Sequence, residues 1–160
     1  MLLNISGSTK STRKLVEFAA WHYAEKLMGK RLMSDREIHI KLKRDLFKKT
    51  GCEGTAIWDD ESRRPKEFTI ELDSTVSLRN MLITLAHEMV HIKQWAKDEM
   101  YEYTNMMGMI RFKGEKMHLD DIDYWDYPWE IEAYGKQLGL FIRFCENMGF
   151  SDKEWTKEEA

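Results

Sequence analysis

The stretch Leu78 to Ile92 constrains this chain most. Leu78, Met81, Leu82, Ile83, Leu85, Ala86, Met89, Val90 and Ile92 cover nearly every side of the helix this spacing predicts. A helix that is apolar almost all round belongs inside a fold, not on its surface. One polar stripe interrupts it: Asn80, Thr84, His87, Glu88 and His91. A solvated stripe would carry Lys, Glu and Arg. This one carries two histidines and an acid amid apolar neighbours, and such groups in a core need partners.

The stripe contains His-Glu-x-x-His. Residues four apart share a helix face, so His87 and His91 aim their imidazoles at one spot. Two neutral imidazoles so placed can bind one Zn²⁺ at about 2.0–2.1 Å each. Glu88, beside the first of them, can reach a water at the metal and take its proton as general base.

At 160 residues, 42% of them hydrophobic, the chain suits one domain with a core of its own. Its 6 Trp, 6 Tyr and 7 Phe make it too aromatic for a disordered segment. Charged residues are mixed in sign and sum to −3. That balance leaves no footprint for nucleic acid or an anionic membrane; Lys41, Lys43, Arg44, Lys48 and Lys49 are the one basic cluster. No run of about 20 apolar residues could span a bilayer, and Met1 to Gly7 is too short and broken for a signal-peptide core. A cytoplasmic protein is expected, with Cys52 and Cys145 as two reduced thiols.

The rest of the chain reads as an α+β fold. Ser8 to Thr12 offers caps for a helix over 13–28, with Leu15, Phe18, Ala19, His22 and Leu27 at helical spacing and Gly29 as its stop. Three short strands follow at 38–42, 55–58 and 68–72, by alternation, and predict a small, mainly antiparallel sheet with a turn over 59–66. Asp73, Ser74, Thr75 and Ser77 can cap the central helix, which runs to about Lys97. Residues 98–127 form a long connection with a turn or hairpin at Phe112-Lys113-Gly114, crowded by Tyr101, Tyr103, Tyr124, Trp125 and Tyr127. Connections of this length are often binding loops. Pro128 opens a last helix whose packing face reads Ile131, Tyr134, Leu138, Phe141, Ile142 and Cys145, with Gly149 as its end. The tail over 151–160 is expected to fray.

Two histidines do not complete a catalytic zinc site, which takes three protein ligands. His39, His118, Glu130 and Glu132 are the candidates for the third. His118 lies in the long connection. Glu130 stands one turn before Ala133, a small residue that lets the last helix approach the central one closely. Glu132 projects roughly 200° round the helix from Glu130, so one of the two at most can face the metal.

His87-Glu88-Met89-Val90-His91, followed by Glu130-Ile131-Glu132-Ala133 on a second helix, resembles the gluzincin group of zinc metallopeptidases. The resemblance implies a minimal zincin-like domain in which His87, His91 and Glu130 hold zinc and Glu88 is the base, acting on protein or peptide substrates. Tyr134 stands where that group carries an Asp that orients a zinc-binding His. More locally, Leu85 to His91 and Pro128 to Ala133 resemble small metallopeptidases encoded by bacteriophages and described as SprT-like; the SprT proteins proper use a third His, which would favour His118. The resemblance covers about residues 66–142. Two rival readings are a catalytically silent, zinc-stabilised binding module and a protease acting on DNA-bound proteins. Glu88 argues against the first and the net negative charge against the second.

Overall fold

Parallel pairings organise the N-terminal half. Strand β1 (Leu2–Ser6) pairs with β2 (Glu37–Lys43), and helix α1 (Lys10–Met33) crosses between them. Parallel neighbours cannot be joined by a tight turn, and a helix is the usual crossover. The structure, a computed structural model, describes residues 1–60 and 62–158. β2 pairs parallel with β4 (Glu67–Asp73), and β3 (Gly54–Trp58) pairs antiparallel with β4, giving the order β1-β2-β4-β3. A short helix, α2 (Leu46–Thr50), leads from β2 towards β3. A separate antiparallel sheet of three strands, β5 (Met100–Glu102), β6 (Met109–Phe112) and β7 (Glu115–His118), fills the long connection.

The architecture is thus α+β. The three strands expected from alternation exist, and their sheet is mixed and one strand larger. β1 escapes sequence reading because it is five residues long at the sheet's edge, and only pairing with β2 makes it a strand. The turn expected over 59–66 closes the β3–β4 hairpin; Glu61 lies outside the described residues.

Thr9 caps α1, its side chain accepting from the Thr12 N–H at 3.2 Å. Gly29, at φ +75°, breaks the helix as expected, and a further helical turn follows to Met33. The inward face is Val16, Ala19, Ala20, Tyr23, Ala24 and Leu27. Phe18, expected inside, is 40% exposed. The three alanines allow α1 to lie close to its neighbours, and the buried Tyr23 hydroxyl donates to the Leu82 carbonyl at 3.2 Å.

Helix α3 (Leu78–Ala96) is the centre of the molecule, and α4 (Pro128–Asn147) packs along it. Ser77 caps α3 by accepting from the Asn80 N–H. Asp73 instead accepts from Phe47 and Thr75. Pro128 is the first residue of α4, as expected. Its packing face matches the expected one in part: Phe141 and Cys145 are buried as expected, together with Trp129, Ala133 and Phe144, while Ile131, Tyr134, Leu138 and Ile142 are exposed. Ala133 is wholly buried on this face, and so small a side chain lets α4 lie close to α3. Trp129 also anchors that side, edge-on to Phe112 of β6.

The hairpin at Lys113-Gly114 is present, both residues having positive φ, which suits a two-residue turn between twisted strands. The tail lies against the fold as far as residue 158. Trp155 packs on Phe150, and Arg79 at the start of α3 donates to the Thr156 carbonyl. Residues 159–160 lie outside the described residues. Cys52 is exposed and Cys145 buried, both free. Among the described residues no helix is long and apolar enough to cross a membrane.

Candidate metal centre

His87 and His91 project from one face of α3 to where the first turn of α4 brings Glu130. The His87 and His91 Nε2 atoms are 3.1 Å apart. Glu130 places Oε2 at 3.2 Å from His87 Nε2 and Oε1 at 3.4 Å from His91 Nε2. These three side chains form a group that could hold a metal ion. Both histidines are more than nine-tenths buried.

Each imidazole is held by its other nitrogen. His91 Nδ1 lies 2.9 Å from Gln94 Oε1, and His87 Nδ1 lies 2.9 Å from Gln137 Oε1. The amide of Gln94 has one possible orientation, because its Nε2 donates to the Trp129 carbonyl and to Glu132 Oε2, each at 3.0 Å. Its oxygen therefore accepts from His91 Nδ1–H and leaves the Nε2 lone pair facing the centre. Glu132 is itself pinned by Lys93, a buried lysine that donates to Glu132 and to Glu99 at 2.6 Å each.

Glu88 is buried at 6% exposure beside this triangle, outside it. Burial pushes its carboxyl pKa up and Glu130 adds to this; His91, His87 and the Ala56 backbone N–H work against the shift. Burial likewise opposes ionisation of Glu130, but its two histidine contacts prevail and hold it down at about 2. His91 also suffers burial, yet Glu130 and Glu88 raise it. The centre is thus a tightly coupled set of two carboxylates and two imidazoles, a charge pattern that a cation would satisfy.

Glycine is required at the top of β3. A Cβ on Gly54 would meet Thr84 Cγ2 at 2.5 Å and Glu88 Oε1 at 3.2 Å. Only a bare backbone lets the edge strand lie this close to α3. β3 then runs along the cleft, with a cavity of about 720 Å³ towards the start of α3 and one of about 230 Å³ towards its end. Both cavities reach His87, Glu88 and Tyr124.

Of the candidates for third ligand, the fold brings Glu130 to the two histidines. Glu132 faces Lys93 and Gln94 instead. His118 sits at the end of β7, where it contacts the Met107 carbonyl and the Asp120 N–H. His39 lies on β2 beside Glu37 and Asn4. The aromatics of the connection divide. Tyr101 packs edge-on against Trp58, and Tyr127 stacks on Trp129, whereas Tyr124 and Trp125 remain exposed at the cleft. The Tyr124 hydroxyl donates to Glu130 Oε2 at 3.2 Å.

Sequence reading passed over Gln94 and Gln137. The three-residue spacing from His91 to Gln94, on one helix face, was the available signal; Gln137 depends on how α4 crosses α3. In the basic cluster Lys43 pairs with Glu71 and Lys48 with Asp45, so part of its charge is neutralised. Compared with models of protein families, with curated proteins and with solved structures, the chain finds no match.

Proposed function

We propose that this chain is a zinc-dependent peptidase in which His87, His91 and Glu130 hold the metal and Glu88 is the general base. The donor set of two imidazole nitrogens and one carboxylate suits zinc with one position left open. Tetrahedral ligands at about 2.0–2.1 Å from one centre lie about 3.3 Å apart, close to the three ligand separations here. When bound, zinc would supply Lewis acidity towards the scissile carbonyl and lower the pKa of an attacking water.

The observation that carries this reading is Glu88. It is a buried carboxylate at the rim of the ligand triangle, not in it, and a purely structural metal site has no use for one. Its burial and raised pKa suit it to take a proton from water and return it to the leaving amine nitrogen. Tyr124 is the donor best placed for the developing oxyanion. As a phenol it keeps its proton at neutral pH, and it can turn from Glu130 towards a substrate oxygen. The edge of β3 not paired with β4 runs along the cleft and can receive an extended peptide as an added strand.

This reading agrees with the resemblance to gluzincins and places the protein's substrates among proteins or peptides. Casein is a suitable first probe. Native chain loaded with one zinc should cleave it, and Glu88→Gln should keep the zinc and the fold while losing hydrolysis. A Glu88→Gln chain that cleaves at the native rate would overturn the assignment of the base.

A further inference from the structure

The small β5–β6–β7 sheet turns an apolar face inward. Met100 pairs with Phe112, and both are buried; the next pair along that face is Glu102 with Ile110. Alternation along β5 puts Met100 and Glu102 on the same side. An acid therefore stands where the pattern calls for an apolar residue, at the point where this face reaches the cleft. Around it are Trp95, Met100, Ile110 and Trp129, which with Glu102 wall the cavity of about 230 Å³ next to His91.

Several buried or half-buried acids near the centre have cationic partners; Glu88 is placed as the base and Glu53 accepts from Thr84. Glu130 has the two histidines, Glu132 and Glu99 share Lys93, and Asp98 has Arg111. Glu102 is half-buried, and among the described residues no Lys, Arg or His forms an ion pair with it. Burial pushes its carboxyl pKa up, with the Trp95 indole N–H and His91 acting the other way. The Trp95 N–H is itself buried and nonetheless makes no hydrogen bond of normal geometry among the described residues. A charge kept at such a position at a cost, with aromatic walls beside it, is a recognition element for a cation.

We infer that Glu102 makes this end of the cleft a subsite for a positively charged nitrogen of the peptide, carried by a Lys or Arg side chain or by a free amino terminus next to the scissile bond. The subsite rests on the peptidase reading. The metal centre supplies the chemistry, and the Trp95–Glu102 end decides which peptides present a bond to it. An incoming ammonium or guanidinium group replaces the missing partner of Glu102 and lays its aliphatic stem against Met100 and Ile110.

The test uses a peptide library produced by cleavage at glutamate, half of it N-acetylated, digested with zinc-loaded native chain, Glu88→Gln and Glu102→Gln. Native chain should cleave with a positive charge at one fixed position beside the cut. The kcat/KM of a lysine peptide should exceed that of its norleucine twin by about tenfold, and the ratio should fall to near unity in Glu102→Gln. If acetylation abolishes cleavage, the cation is the free amino terminus; if not, it is a side chain. Cleavage without this preference, or with a preference that survives Glu102→Gln, overturns the subsite and leaves the peptidase reading standing. If native chain cleaves nothing, the peptidase reading falls. Retention of the same library on immobilised zinc-loaded Glu88→Gln then decides the subsite alone. Enrichment of cationic peptides that disappears on adding Glu102→Gln supports it, and no enrichment overturns it.

Discussion

Gln94 Oε1 lies 2.9 Å from His91 Nδ1, and the Gln94 amide nitrogen is committed to the Trp129 carbonyl and Glu132. One fully buried amide thus ties the second histidine of α3 to the first turn of α4, the turn that carries Glu130. Replacing it by Leu removes the group that sets the tautomer of His91. Zinc affinity should fall roughly 10–100-fold, read by competition with a chromogenic chelator. At a pH where the ring is neutral, the His91 nitrogen resonances of the metal-free chain should shift from one Nδ1–H tautomer towards a mixture.

Glu130 and Glu132, two residues apart, should fail in different ways. Glu130→Ala removes a ligand, and the chain should lose bound zinc measured by elemental mass spectrometry while staying folded. Glu132→Ala should keep about one zinc per chain. It leaves the buried Lys93 with Glu99 alone and frees a Gln94 donor, so stability should drop by about 1–3 kcal/mol in denaturant unfolding.

The close approach of β3 to α3 can be tested by a pair of substitutions. Gly54→Ala puts a methyl group against Thr84 Cγ2 and should destabilise the fold by about 1–3 kcal/mol. Thr84→Ser deletes the atom it strikes, so the double variant should recover part of that loss. The measurement is a double-mutant cycle on unfolding free energies, and strictly additive effects would refute the contact.

Acid should weaken the loop that joins β2 to α2. Asp73 is 1% exposed; burial opposes its ionisation, but hydrogen bonds from Thr75, Phe47 and Asp45 hold its pKa below the ordinary 3.8. A depressed carboxyl pKa contributes stability that is complete above the unfolded value and is lost as pH falls through the folded one. Melting temperatures of the native chain should therefore fall on acidification below about pH 4. Asp73→Asn should start lower at neutral pH and show a shallower acid limb.

Much of the centre was legible in the chain itself. The two histidines, Glu88 between them and the burial of their helix follow from 3.6-residue periodicity and the rarity of such groups in an apolar run, both local properties. The cap at Ser77, the break at Gly29 and Pro128 at the head of α4 are local too, set by backbone geometry within a turn of each residue. What depends on the meeting of distant segments was not legible. Glu130 was already favoured by the small Ala133 one turn on and by the resemblance, but how α4 turns, which exposes Ile131, Tyr134, Leu138 and Ile142 and brings Gln137 to His87, is decided only where the two helices meet. The parallel pairing of β1 with β2 likewise exists only because α1 folds back between them. Nothing in the sequence sets Glu102 apart from the chain's other acids. Only the strand register that sets it opposite Ile110, at the cleft and without an ion-pair partner among the described residues, gives it the role inferred above, because burial and pairing belong to the assembled chain and not to any stretch of it.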